Sequence, residues 1–128
     1  MKERGGLFVI IFFVISMQFI SATELVLQPN GVFGKDSFII QGSPNQNAGA
    51  STNLKIKGDD NRRILIEFNL SLIDSNAIIN NATLELYITS DGSLTPTINL
   101  YRLTNSWKEG TGTETITNNG ATWNSRNG

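Results

Sequence analysis

Residues 59–70, DDNRRILIEFNL, constrain the fold more than any other stretch of this chain. Two acids, an amide and two arginines sit directly before a dense apolar run that carries a single charge, Glu67. Ile64, Ile66 and Phe68 recur at period two, the spacing of one face of a β-strand. Leu65 lies on the opposite parity, so the strand is expected to be covered on much of both faces, as a central strand is.

The neighbouring segments follow the same logic. Residues 36–40 form a second strand candidate, preceded by the turn signal Pro29-Asn30-Gly31. Leu54-Lys55-Ile56-Lys57 alternates apolar and charged, as a half-buried strand does. Residues 83–89 place Leu84, Leu86 and Ile88 on one face and polar or aromatic side chains on the other. Asp91-Gly92 is a strong hairpin turn, and 97–103 returns with Ile98 and Leu100 inward. A short apolar run at 25–28 completes six candidates. Between them, 42–53 is almost wholly Gly, Ser, Pro, Asn, Gln and Thr and reads as a long polar loop. Residues 71–81 read as a crossover loop whose Leu72, Ile73, Ile78 and Ile79 plug the end of a core. No stretch supports an amphipathic helix of three turns. The expected class is therefore all-β, a jelly-roll-like β-sandwich. Six strands fall short of the usual jelly-roll count of about eight, so C-terminal strands are expected in sequence beyond Gly128.

Composition narrows location and chemistry. Lys2 and Arg4 lead into an apolar run from Leu7 to Ile15, extended to Ile20 and followed by Ser21-Ala22. That is the layout of a secretory signal peptide over 1–22, too short in its apolar part for a membrane span. The expected product is exported, and the membrane serves only for export. Without Lys2, Glu3 and Arg4 the remaining chain has eight basic and ten acidic side chains, a net charge of −2. This gives no electrostatic pull toward nucleic acid. There is no cysteine and no histidine, so neither a disulfide nor the commonest general base and transition-metal ligand is available.

The ordered series of segments resembles the DNRLRE domain family, related to carbohydrate-binding module family 96 and to disaggregatase-associated domains of archaeal surface proteins. The matching pieces are KDSFI at 35–39, SPNQN at 43–47, LKI at 54–56 and NRRILIEFNL at 61–70. They continue with ATLELY at 82–87, SWKEG at 106–110 and ATWN at 121–124. The resemblance implies a secreted β-sandwich that binds carbohydrate in some members, acidic polysaccharide included. It also implies that the domain over 23–128 is partial. Ala48 departs from the family, which usually carries an aromatic there.

Candidate sites follow. Lys55, Lys57, Arg62 and Arg63 form a basic row suited to the carboxylates of an anionic polysaccharide or cell-envelope glycan, with Arg able to bond bidentately. Arg63 joins Lys55 and Lys57 if its strand pairs with theirs. The competing reading is a solvated strand face that deters edge pairing. Tyr87, opposed in parity to Leu86 and Ile88, is the candidate for stacking on a sugar ring, whereas Trp107 and Trp123 are expected to cover the ends of the sheets. Asp36, Asp59 and Asp60, in an oxygen-rich set with Asn45, Asn47 and Asn61, are candidate ligands for a structural Ca²⁺, against ordinary turn chemistry. Arg102 shares parity with inward residues and so needs an acid or a bulge. Asn69-Leu70-Ser71 and Asn81-Ala82-Thr83 match the N-glycosylation acceptor pattern. No carboxylate pair is marked by a cleft, so the chain is read as non-catalytic. The alternative class is a structural or adhesive spacer domain of a larger cell-surface protein.

Overall fold

A computed structural model describes residues 23–57, 61–89 and 97–128. The signal-peptide candidate at 1–22, the acids Asp59 and Asp60 and the Asp91-Gly92 turn lie outside these residues. The described chain is all-β and contains no helix; its sheet is two antiparallel strands, β1 (Gly34–Ile40) and β2 (Arg62–Phe68).

Local chemistry sets where each strand begins. Asn30 turns the chain into β1, its side-chain oxygen accepting the N–H groups of Val32 (3.1 Å) and Phe33 (2.9 Å). This is the competition between a short amide and the backbone that makes Asn a turn residue. Asn61, with φ at 43°, brings the chain into β2. Of L-residues, Asn and Asp tolerate that left-handed conformation best. The register pairs Lys35 with Glu67, Phe38 with Ile64, Ile39 with Arg63 and Ile40 with Arg62.

Alternation then divides the sheet into two faces. On one face Phe38, Ile40 and Ile64 meet Ala48 and Leu54, and this is the hydrophobic core. Phe38 is 0 % exposed. On the other face Ile39 and Leu65 lie under 102–107 and 121–126. Both faces of β2 are thus engaged, as Leu65 had implied.

Among the described residues, covering segments rather than further strands lie beside the sheet. Lys57 and Arg62 make a single antiparallel bridge, with the Arg62 N–H donating to the Lys57 carbonyl (3.0 Å), so 54–57 is not a full strand. The segments at 83–89 and 97–103 are unpaired where described. Leu84, Leu86, Ile88, Ile98 and Leu100 are exposed rather than buried. Period-two alternation describes what a strand would bury but supplies no partner backbone, and a strand exists only where its N–H and C=O groups are bonded laterally. Leu72, Ile78 and Ile79 are exposed too, so the crossover does not plug a core. It folds back on itself in two turns, Ile73 N–H to Leu70 C=O and Ala77 N–H to Asp74 C=O.

Candidate functional site

The largest departure from expectation lies in the polar loop. Residues 42–53 carry the most thoroughly bonded side chain of the described chain, Asn47, 0 % exposed. Its amide nitrogen donates to the carbonyls of Glu109 (2.7 Å) and Ala121 (2.9 Å). Its amide oxygen accepts from the N–H groups of Gly112 (2.8 Å) and Gly49 (3.3 Å). The Asn47 backbone bridges antiparallel to Thr115. One amide therefore fastens the loop, its own turn and both limbs of the 109–121 excursion. Glycine makes the approach feasible. A Cβ at Gly110, where φ is +79°, would collide with the Asn47 amide oxygen, and one at Gly120 with its nitrogen. The sequence signal for this hub was the recurrence of glycine at 49, 110, 112 and 120, which marks close backbone approach.

Ala48, beside it, is 1 % exposed against Phe38 and Ile40. Position 48 therefore faces the core.

Two carboxylates fasten the same excursion to the sheet. Glu114 is bonded by Lys55 Nζ and by an Arg62 guanidinium nitrogen at 3.1 Å. Both cations also stand near the Phe38 ring, at 5.9 Å and 5.7 Å from its centroid. The hydrogen bond from Lys55 lowers the Glu114 pKa; partial burial opposes it, and the charges of Lys55 and Arg62 add to the lowering. Glu109 accepts the backbone N–H of Asp36 (2.9 Å), satisfying a position of β1 that no third strand reaches. Burial raises the Asp36 pKa, and the neighbouring charge and hydrogen bond of Glu109 raise it further.

The two latches have opposite signs. Folding holds a proton on Asp36 more tightly than the unfolded chain does, so stability rises as pH falls through the raised pKa toward about 4. Glu114 contributes the reverse: its stabilisation is complete above the ordinary glutamate value, about 4.3, and is lost as pH falls through the lowered pKa. The thermal midpoint is thus expected to peak on the acid side of neutrality. Asp36→Asn should flatten the rise from neutral pH, and Glu114→Gln should flatten the acid limb while costing about 0.5–1 kcal/mol at pH 7. Midpoints of both variants between pH 3 and 8 check this; parallel curves for all three proteins would refute it.

The second face of the sheet presents an open groove of about 520 Å³. Ile39 and Leu65 line it, with Trp107, Trp123, Arg102 and Arg126 among the residues from the covering segments. Trp107 is buried beneath Lys35, whose ammonium lies 5.0 Å from the ring centroid, bonds the Trp107 carbonyl (2.8 Å) and pairs with Glu67 (3.0 Å). Trp123 is only half-buried, with the Arg63 guanidinium carbon 4.7 Å from its ring centroid. Arg102 and Arg126 are exposed. Among the described residues Arg63, Arg102 and Arg126 have no carboxylate partner.

The expected basic row is therefore divided. Lys55 and Arg62 lie together through Glu114, and Lys57 bridges Arg62 through the backbone. Arg63 does not join them: consecutive residues of a strand point to opposite faces, and it stands over Trp123 at the groove. Glu67 pairs with Lys35, its partner across the strands. Tyr87 is 93 % exposed and apart from the groove lining. Arg102 is turned out to the groove rather than buried with an acid. Asp36 adjoins Glu109, and no group of three carboxylates suited to a metal is found among the described residues.

The groove thus combines one half-exposed indole with exposed guanidiniums that have no carboxylate partner among the described residues. Residues 33–127 match the model of carbohydrate-binding module family 96. The chain belongs to that family. The match spans the sheet, the Asn47 hub and both walls of the groove, and it is the family to which the DNRLRE resemblance leads. Comparison of this family 96 module with curated proteins and with solved structures returned no match.

Proposed function

We propose that this carbohydrate-binding module is non-catalytic, acts outside the cell, and holds an acidic polysaccharide in the groove between the sheet and the 102–107 and 121–126 segments. The observation that carries the reading is a groove lined by Trp123, Arg102 and Arg126, with Arg63 over the Trp123 ring, and none of the three guanidiniums has a carboxylate partner among the described residues. A guanidinium bonds a carboxylate bidentately, and an indole offers a flat apolar face to the C–H side of a pyranose. Lys55 and Arg62 are less suited to the task, because Glu114 already compensates them. The apolar leader at 1–22 supports export, and the all-β described chain together with the family match supports a β-sandwich, here proposed to be jelly-roll-like. A net charge of −2 beyond the leader argues against nucleic acid as partner.

Affinity electrophoresis through gels containing polygalacturonate tests this. The wild-type chain should be retarded, and Arg102→Ala with Arg126→Ala should lose about tenfold in affinity, from two exposed charge-assisted contacts. Equal retardation of wild type and variant would refute the groove as the site. One observation favours a second reading, a spacer or adhesive domain of a larger surface protein. Leu84, Leu86, Ile88 and Leu100 present apolar side chains to solvent, a surface that a neighbouring domain would cover. A spacer would migrate unretarded in every polysaccharide gel.

A further inference from the structure

We infer that Arg63 acts as a guard on Trp123, and that this guard is what makes the groove selective for carboxylated over neutral sugars. The inference rests on the acidic-glycan reading and assigns its selectivity to one residue. The guanidinium of Arg63 stands 4.7 Å from the centroid of the Trp123 ring, within cation–π range, and Arg63 pairs across the strands with Ile39, which lines the groove.

The two tryptophans of the groove are alike in sequence but not in state. The cation over Trp107 is immobilised: Lys35 bonds the Trp107 carbonyl at 2.8 Å and Glu67 at 3.0 Å, and the ring beneath it is buried. The cation over Trp123 is exposed and has no carboxylate partner among the described residues. An exposed cation–π contact is weak, whereas a guanidinium–carboxylate fork is among the stronger hydrogen-bonded pairs. A sugar carboxylate therefore draws Arg63 off the indole and occupies the vacated face in one event. A neutral sugar has to displace the same cation and gives it nothing in return. Selectivity of this kind comes from a penalty on the wrong ligand as well as attraction to the right one.

An arginine that merely touched the glycan would add affinity for acidic chains and leave neutral ones unaffected. A guard predicts a crossed result. The full chain and its Arg63→Ala variant are run in gels of polygalacturonate and of an unsubstituted neutral β-glucan. The variant is expected to lose affinity for polygalacturonate and to gain about fivefold for the neutral glucan, the factor released when an exposed cation–π contact is removed. Arg63→Gln, which retains much of the aliphatic stem, should behave alike, and thermal unfolding of both variants controls for folding. Loss of polygalacturonate binding with no gain on the neutral glucan overturns the guard but leaves the acidic-glycan reading standing. A wild type retarded by neither polymer overturns that reading, and the guard with it.

Discussion

Asn47→Ala is expected to destabilise the chain by about 3 kcal/mol, a large share of the total stability of a small domain. The substitution removes four hydrogen bonds at once. It leaves the carbonyls of Glu109 and Ala121 and the N–H groups of Gly112 and Gly49 without these partners, two of the bonds being buried and two part-buried. Each such group costs about 1–3 kcal/mol when stranded, and water entering the cavity relieves only part of the sum. With a urea slope of about 1–3 kcal/mol/M, the midpoint should fall by roughly 1–2 M. Asn47→Asp discriminates hydrogen bonding from volume. It is isosteric, but it replaces the amide donor by an oxygen facing two carbonyl oxygens and buries a charge. It should be no more stable than the alanine variant at pH 7. A shift below about 0.5 kcal/mol for either variant would show that the excursion at 109–121 is held by its ion pairs instead.

How much of this was legible beforehand depends on whether the information was local. The turns into β1 and β2 were readable, because Pro29-Asn30-Gly31 and Asn61 act on their own backbone. The two faces of β2 were readable from the parity of Ile64 and Leu65, and the same parity separates Arg62 from Arg63. The partner of β2 was not. Residues 54–57 alternate well yet contribute one bridge, while β1, more than twenty residues earlier, supplies the ladder. Residues 83–89 alternate better than either strand and pair with nothing where described. Alternation records the sidedness of a segment, and pairing is decided by distant backbone that carries no residue identity. Asn47 was hidden for the same reason. Its partners are backbone atoms, most of them 62 to 74 residues away, and an asparagine in a polar loop reads instead as a cation ligand or an ordinary turn residue. The groove shows a mixed case: Trp107 and Trp123 stood out and were assigned to cover the sheet, which Trp107 does, but nothing local distinguished the buried ring from the half-exposed one.

That distinction makes Trp123→Ala the functional substitution with the largest expected effect. Trp107 is buried under Lys35, so its removal would act on stability first, as large-to-small changes at buried aromatics do. Trp123 is half-buried and contacts the exposed Arg63, so part of its ring remains to be covered by ligand. An aromatic anchor at the centre of a small site typically carries about 2 kcal/mol or more of binding energy, which corresponds to roughly 30-fold in affinity. Trp123→Ala should therefore weaken polygalacturonate binding by about that factor while the urea midpoint moves little. Trp123→Phe, which keeps a planar apolar face of smaller area, should recover part of the loss. The pair of variants also bears on the guard, because with no indole to cover, Arg63→Ala in the Trp123→Ala background should no longer raise affinity for the neutral glucan. Additive effects of the two substitutions on neutral-glucan binding would mean that Arg63 and Trp123 act on the sugar separately, since residues working through one contact are coupled in a double-mutant cycle.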